Sequence, residues 1–229
     1  MRADDLDKSE QTEVTNGQLT QKGNKAIDIT MKIERSMPVY PGNPAPEIEE
    51  YRSLPEDSTA ESEICLGSHT GTHVDAPSHL NRDGETADEI TLDEMMGAAE
   101  VLNLTDADGH IEASDLPPDL DDSIVVLKTD NSQKSYEAFR EDFTGLKLSA
   151  VKKLVSSGVE TVAVDYLSLT PYDGTEEDHE AHRLGVTEMN VVEGVRLTGV
   201  EPGNYRFAAL PLKMSTDATP VRAVLIPYR

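Results

Sequence analysis

The chain has 229 residues, with 20 Lys plus Arg against 44 Asp plus Glu and a formal net charge of −24. At 37 % apolar residues it can bury an ordinary core, which excludes wholesale disorder, and so large a negative charge repels phosphate backbones, so nucleic acid is not an expected partner. No apolar run approaches the roughly 20 residues that span a bilayer, so no membrane partner is expected, and the single cysteine, Cys65, cannot form an internal disulfide.

Residues 1–24 are polar, lack an apolar segment of signal-peptide type and show no period that could pack on a core, so they read as an acidic, loose extension of a cytoplasmic protein. One mixed α/β domain is expected over 25–229, because no repeat and no Pro/Gly/Ser linker divides it. Ala26–Thr30 reads as a short strand. The segment Met37-Pro-Val-Tyr40-Pro-Gly-Asn-Pro44 holds three prolines, which forbids a helix and leaves an ordered extended turn. Further strands are expected at Glu61–Leu66, Ala98–Leu104, Ile124–Thr129, Thr161–Asp165, Asn190–Val195, Tyr205–Leu210 and Ala223–Ile226, all short and rich in β-branched or apolar residues. Ser149 is placed to cap a helix through Val151, Leu154 and Val155 that stops near Gly158. Strands outnumber helices, and the acid runs Asp119-Leu-Asp-Asp122 and Glu176-Glu-Asp178 read as solvated loops.

The acidity has two readings. In a cytoplasm of molar salt, Debye lengths near ~3 Å screen the self-repulsion that would strain the fold. The alternative is an acidic interaction surface.

Three of the six histidines fall within the eleven residues His69-Thr-Gly-Thr-His73-Val-Asp75-Ala-Pro77-Ser-His79. Imidazole nitrogen and carboxylate oxygen are ligands for borderline divalent metals, and three such ligands leave a position open for water. His73 and Asp75 are two apart, so an extended backbone points both the same way; Gly71 permits a bend that brings His69 round, and Pro77 directs His79 separately. A closed structural zinc site is the alternative, and the hard oxygen ligand favours a hydrolytic centre over it. Cys65 reads as a small buried apolar residue, and His110 as a surface loop residue.

This stretch resembles the HxGTHxDxPxH signature of the cyclase-like metal hydrolases, the family of bacterial kynurenine formamidase and isatin hydrolase. The likeness extends upstream through Asp28-Ile-Thr30 and Met37–Pro44, and downstream through Ile124–Asp130, Val159–Ser168 and Thr216-Asp-Ala-Thr-Pro-Val-Arg222. It implies a mainly β, barrel-like sheet with few flanking helices. It implies metal binding by His69, His73 and Asp75 and a catalytic role for His79. It further implies that a later histidine and glutamate complete the centre; the candidates are His182, with His179 competing, and Glu193. The expected cofactor is zinc or manganese, one or two ions per subunit, and the expected reaction is hydrolysis of N-formyl-L-kynurenine. An isatin-type lactam or other cyclic amide or ester is the alternative substrate, and a non-catalytic metal-binding assembly module the alternative role. Tyr40 is the expected substrate contact, and a homodimer or homotetramer the expected assembly.

Overall fold

The computed structural model describes residues 25–172 and 174–228; the acidic extension expected at 1–24 lies outside the described residues. In chain order the elements are β1 (Ile27–Asp28), β2 (Glu47–Arg52), β3 (Glu61–Cys65), β4 (His73–Asp75), β5 (Met96–Leu104), β6 (Ile124–Thr129), α1 (Leu148–Ser156), β7 (Thr161–Val164), α2 (Glu176–Glu188), β8 (Asn190–Glu193), β9 (Gly203–Pro211) and β10 (Ala218–Pro227).

Short runs of β-branched residues make the middle of the fold. Strands β5, β6, β7 and β8 pair in parallel, with α1 crossing from β6 to β7 and α2 from β7 to β8. Both faces of such strands are covered, so their sequences are continuously apolar rather than alternating. The alternation shows in what each side chain touches. Ile124, Val126, Ala163 and Val192 face the barrel interior, whereas Val125, Leu127, Val162, Val164 and Val191 face Leu148, Val151 and Leu154 of α1 and Ala181 and Val186 of α2.

The other half of the sheet is antiparallel and closes the ring. Strand β5 pairs with β9, β9 with β10, β10 with β4, and β4 with β8. Seven strands thus form a closed mixed barrel, with β1 added beside β10. The expected barrel-like α/β domain with few flanking helices is the observed one. Among the described residues no helix is long and apolar enough to cross a membrane.

Four local expectations are corrected. Strand β2 was not anticipated; it pairs only with β3 as a hairpin outside the barrel, and its sequence Glu-Ile-Glu-Glu-Tyr-Arg is exposed along nearly its whole length. Cys65 is exposed on that hairpin, not buried. Lys147, not Ser149, holds the N-cap position of α1, and the Ser149 hydroxyl instead accepts from Ala113 N at 3.2 Å. The acid run Glu176-Glu-Asp178 is not a loop. It is the first turn of α2, where Thr175 and Asp178 form a reciprocal capping box and the acids face the positive end of the helix dipole.

Two glycines meet where β8 passes the start of β4. Gly194 has φ +74° and Gly71 φ +69°. A Cβ on Gly194 would lie 2.7 Å from the Gly71 carbonyl oxygen. Thr72 fastens the same spot: its hydroxyl donates to Gly194 O at 2.7 Å and accepts from Met31 N at 2.7 Å. Gly194→Ala should therefore destabilise the fold by about 2 kcal/mol or more, from left-handed strain plus the clash. A urea unfolding midpoint equal to that of the unsubstituted chain would contradict this close approach.

Candidate metal centre

The ladder around β4 places the site. His73 lies opposite Glu193 of β8, and Asp75 lies opposite Ala218, the first residue of β10. Val74 between them points into the barrel core, so His73 and Asp75 share the outward face, as the period of two requires. The Gly71 bend brings His69 back over that face. After Asp75, Pro77 opens a single 3₁₀ turn that ends at His79, a position suited to proline because its missing N–H is not needed there.

His73 and Asp75 are almost wholly buried, at 2 % and 1 % exposure, and Glu193 at 3 %. The His73 ring donates from Nδ1 to the Gly71 carbonyl oxygen at 3.0 Å, since a carbonyl can only accept. That leaves Nε2 facing inward, 3.3 Å from Asp75 Oδ1 and 3.6 Å from Glu193 Oε2. His69 Nδ1 lies 2.9 Å from the same Asp75 Oδ1. Yet neither His73 Nε2 nor Asp75 Oδ1 makes a well-aligned hydrogen bond. Buried polar atoms without partners are rare and expensive, and here they converge on one another. A cation shared between them satisfies both, so the donor set fits a divalent metal.

On the other side of Asp75, His182 from α2 brings Nε2 to 3.8 Å from Oδ2, while its Nδ1 stands 3.4 Å from the Thr170 hydroxyl. His182 and His179 both sit on α2. Both line the cavity, and it is His182 that reaches Asp75. Glu193 is fixed by the Leu169 N–H, which donates to Oε1 at 2.6 Å. A ring nitrogen of His79 comes within 4.8 Å of an Asp75 oxygen and a His182 nitrogen.

Charge explains the protonation pattern. Burial opposes the charged form of His69, but its close contact with the Asp75 carboxylate, with help from Asp217 and Glu193, holds it up at about 9. Burial likewise opposes a charged His73, and Asp75 and Glu193 overcome it and raise it. Asp75 would be raised by burial but is held well below the usual carboxylate range by its two histidines. Glu193, buried beside the Asp75 charge, is pushed up to about 7. His182 is lowered, chiefly by burial. Two buried carboxylates in one place thus take up positive charge from whatever supplies it.

These side chains floor a cavity of about 650 Å³ whose walls include Tyr40, Leu80, Leu167 and Pro171. Tyr40 is braced edge-on by Phe139 and Tyr172, at centroid distances of 5.2 and 5.7 Å. His110 lies apart from this group, accepting from Gly145 N at 3.2 Å. One residue at the site drew no attention in the sequence: Asp217, whose Oδ2 is 2.9 Å from His69 Nε2 and 3.4 Å from His79 Nδ1. Its only signal there was a place in the segment Thr216–Arg222.

Known proteins resemble this chain along most of its length. The model of the Cyclase family, described as "Putative cyclase", matches residues 27–171. The kynurenine formamidase of Maricaulis maris is 30 % identical over 204 residues, 88 % of this chain and 97 % of that protein. A solved structure described as a potential metal-dependent hydrolase with cyclase activity is 32 % identical, with a TM-score of 0.76, covering 90 % of this chain and 98 % of its own. Isatin hydrolase A from Labrenzia aggregata shares the fold, with a TM-score of 0.77 at 19 % identity over 90 % of this chain and 94 % of its own. A chain whose length and signature both match in this way belongs to the cyclase family of metal-dependent hydrolases.

Proposed function

We propose that this chain is a metal-dependent amidohydrolase acting on a non-peptide C–N bond, and that it is an arylformamidase cleaving N-formyl-L-kynurenine to kynurenine and formate. The carrying observation is the pair of buried, unpartnered ligand atoms, His73 Nε2 and Asp75 Oδ1, at the floor of an open cavity. The substrate is proposed from the kynurenine formamidases that align with nearly the whole chain.

In this reading His69, His73 and Asp75 would hold a divalent ion, and His182 and Glu193 would complete the centre. Zinc or manganese suits nitrogen and oxygen ligands. A divalent cation supplies Lewis acidity, polarising a carbonyl and lowering the pKa of a water molecule toward about 7. Water adds to the formyl carbon, the C–N bond breaks, and the amine nitrogen must gain a proton. His79 is the residue for that transfer: it lines the cavity, it is partly buried, and its Nδ1 lies 3.4 Å from Asp217 Oδ2 beside the His69 ring. Tyr40, held rigid by its aromatic neighbours, offers a flat wall to an aryl ring.

The remaining proposals concern context. The hairpin β2–β3 leaves Tyr51, Leu54 and Ile64 exposed, which supports the expected homodimer or homotetramer. The single cysteine agrees with a reducing cytoplasm. The excess of 44 acids over 20 bases supports adaptation to high salt.

Four outcomes test these readings. His79→Ala should lower turnover of N-formylkynurenine by about 10²-fold or more while metal content stays at the wild-type level; loss of metal along with activity would move His79 into the ligand set, and hydrolysis of isatin in preference to the formamide would change the substrate. Exhaustive chelation should abolish turnover and readdition of zinc or manganese restore it. Without a cation His69 keeps its proton to about pH 9 and Glu193 titrates near pH 7, so metal must displace protons. Its affinity should strengthen as pH rises toward about 9 and weaken as pH falls, and calorimetry in buffers of different ionisation enthalpy should register the released protons. Finally, the thermal unfolding midpoint should climb with KCl up to about 1 M, where the Debye length is ~3 Å; a flat dependence would leave the acidic interaction surface instead.

A further inference from the structure

Asp217 ends the loop that leads into β10, and two backbone bonds and one from a side chain fix where it sits. Ala76 N donates to its carbonyl oxygen at 2.9 Å, directly after the metal-site strand β4. Ala87 N donates to the carbonyl of Thr216 at 2.9 Å. The Thr216 hydroxyl donates to Ala218 O at 2.7 Å. The loop is therefore tied on both sides of the residue, and the carboxylate has little freedom to move away from the histidines it meets.

That carboxylate touches both rings with the same oxygen. Oδ2 lies 2.9 Å from His69 Nε2 and 3.4 Å from His79 Nδ1, and the two rings stand 4.3 Å apart. The opposite nitrogen of His69, Nδ1, faces Asp75 Oδ1 at 2.9 Å. His69 is thus strung between two carboxylates, one at each end of its ring. A histidine that ligates a cation through one nitrogen carries its proton on the other, and a carboxylate behind it selects which.

We propose that Asp217 is a positioning residue that accepts the Nε2 proton of His69, so that the ring presents Nδ1 to the buried cluster, and that the same oxygen sets the orientation of the His79 ring. Two imidazoles with different tasks, one binding and one transferring a proton, are registered to each other through one side chain. The inference rests on the metal-dependent reading of this site and adds a residue to it. Asp217 remains 43 % exposed in its side chain and lies on the far side of His69 from His73 and Asp75. It is therefore placed to orient ligands rather than to join the buried set.

The test compares the full-length chain with its Asp217→Ala and Asp217→Asn variants, using zinc(II) and manganese(II) as probes in competition with a chromogenic chelator at one fixed pH. Uptake by the unsubstituted chain is measured first: a chain that takes up neither metal overturns the functional reading and this inference with it. Given uptake, Asp217→Ala should bind with unchanged stoichiometry and about 10- to 100-fold weaker affinity. The asparagine variant keeps an accepting amide oxygen and should fall between the two. At saturating metal, kcat of the alanine variant should still fall by about tenfold or more with KM little changed, because the proton donor is misaligned while substrate binding is intact. Affinity and kcat in both variants equal to those of the unsubstituted chain would overturn the inference and leave the functional reading standing. So would loss of one whole equivalent of metal, which would make Asp217 a ligand. If the alanine variant does not fold, the asparagine variant decides, since an unchanged affinity and kcat there removes any role for the carboxylate charge.

Discussion

The register of β4 between β8 and β10 is the constraint from which the site follows. With His73 opposite Glu193 and Asp75 opposite Ala218, the outward positions of three strands meet at one point. A slip of one residue would turn Val74 toward the cavity and drive His73 and Asp75 into the apolar barrel, where a charged side chain without a partner is prohibitively unfavourable. The core thus enforces the site. Val74 and Val192 are fully buried, and each contributes about 1.5–3 kcal/mol to holding that register. The close approach of Gly194 to Gly71, together with the two bonds of Thr72, locks the same register at its open end.

Holding two carboxylates and an imidazole in that position works against stability unless something neutralises them. Asp75 and Glu193 are both buried, but they are pushed in opposite directions: the His69 and His73 rings hold Asp75 down against the cost of its burial, whereas burial first and the Asp75 charge second drive Glu193 up to about 7. The same carboxylates raise both His69 and His73 against the cost of burying them, so positive charge is favoured beside the buried acids. Under the proposed metal-dependent reading, protons and a divalent ion compete for these groups, and that competition would link metal affinity to pH without any further device. The wall opposite has a different composition. Tyr40, Phe139 and Tyr172 form an edge-to-face cluster, so the cavity is ionic at its floor and aromatic at its side.

Much of the fold could be read from local pattern. Ile124–Thr129, Thr161–Val164 and Asn190–Glu193 are strands because the β-branched runs are too short for helices and are covered on both faces, a condition that leaves a plain apolar signature. Strand β2 escaped notice because Glu47–Arg52 packs neither face against the core, so the period of two that marks a half-buried strand is missing. Helix α2 was hidden by its own first turn. Three consecutive acids look like a solvated loop in isolation, and only the Thr175 cap, three residues before Asp178, distinguishes a helix start; Asp178 is then buried against Lys147 at 2.9 Å. His182 was assigned by family likeness rather than by any feature of its surroundings, since its value to the site comes from lying on a helix that reaches back over β4.

Asp217 marks the limit of what local reading reaches. His69, His73 and His79 announce themselves because histidine is scarce in this chain and three of its six fall within eleven positions, with Asp75 among them. An aspartate among 44 acids carries no such contrast, and Asp217 stands 148 residues from the ring it contacts at 2.9 Å. Only closure of the barrel joins them. Pairing of β10 with β4 carries the loop before β10 to the end of the signature segment, and the bond from Ala76 N to the Asp217 carbonyl continues that ladder by one step beyond Asp75. The same long-range pairing that buries the core therefore supplies the outer partner of His69, which is why a residue with no local signature sits at a fixed distance from two that have one.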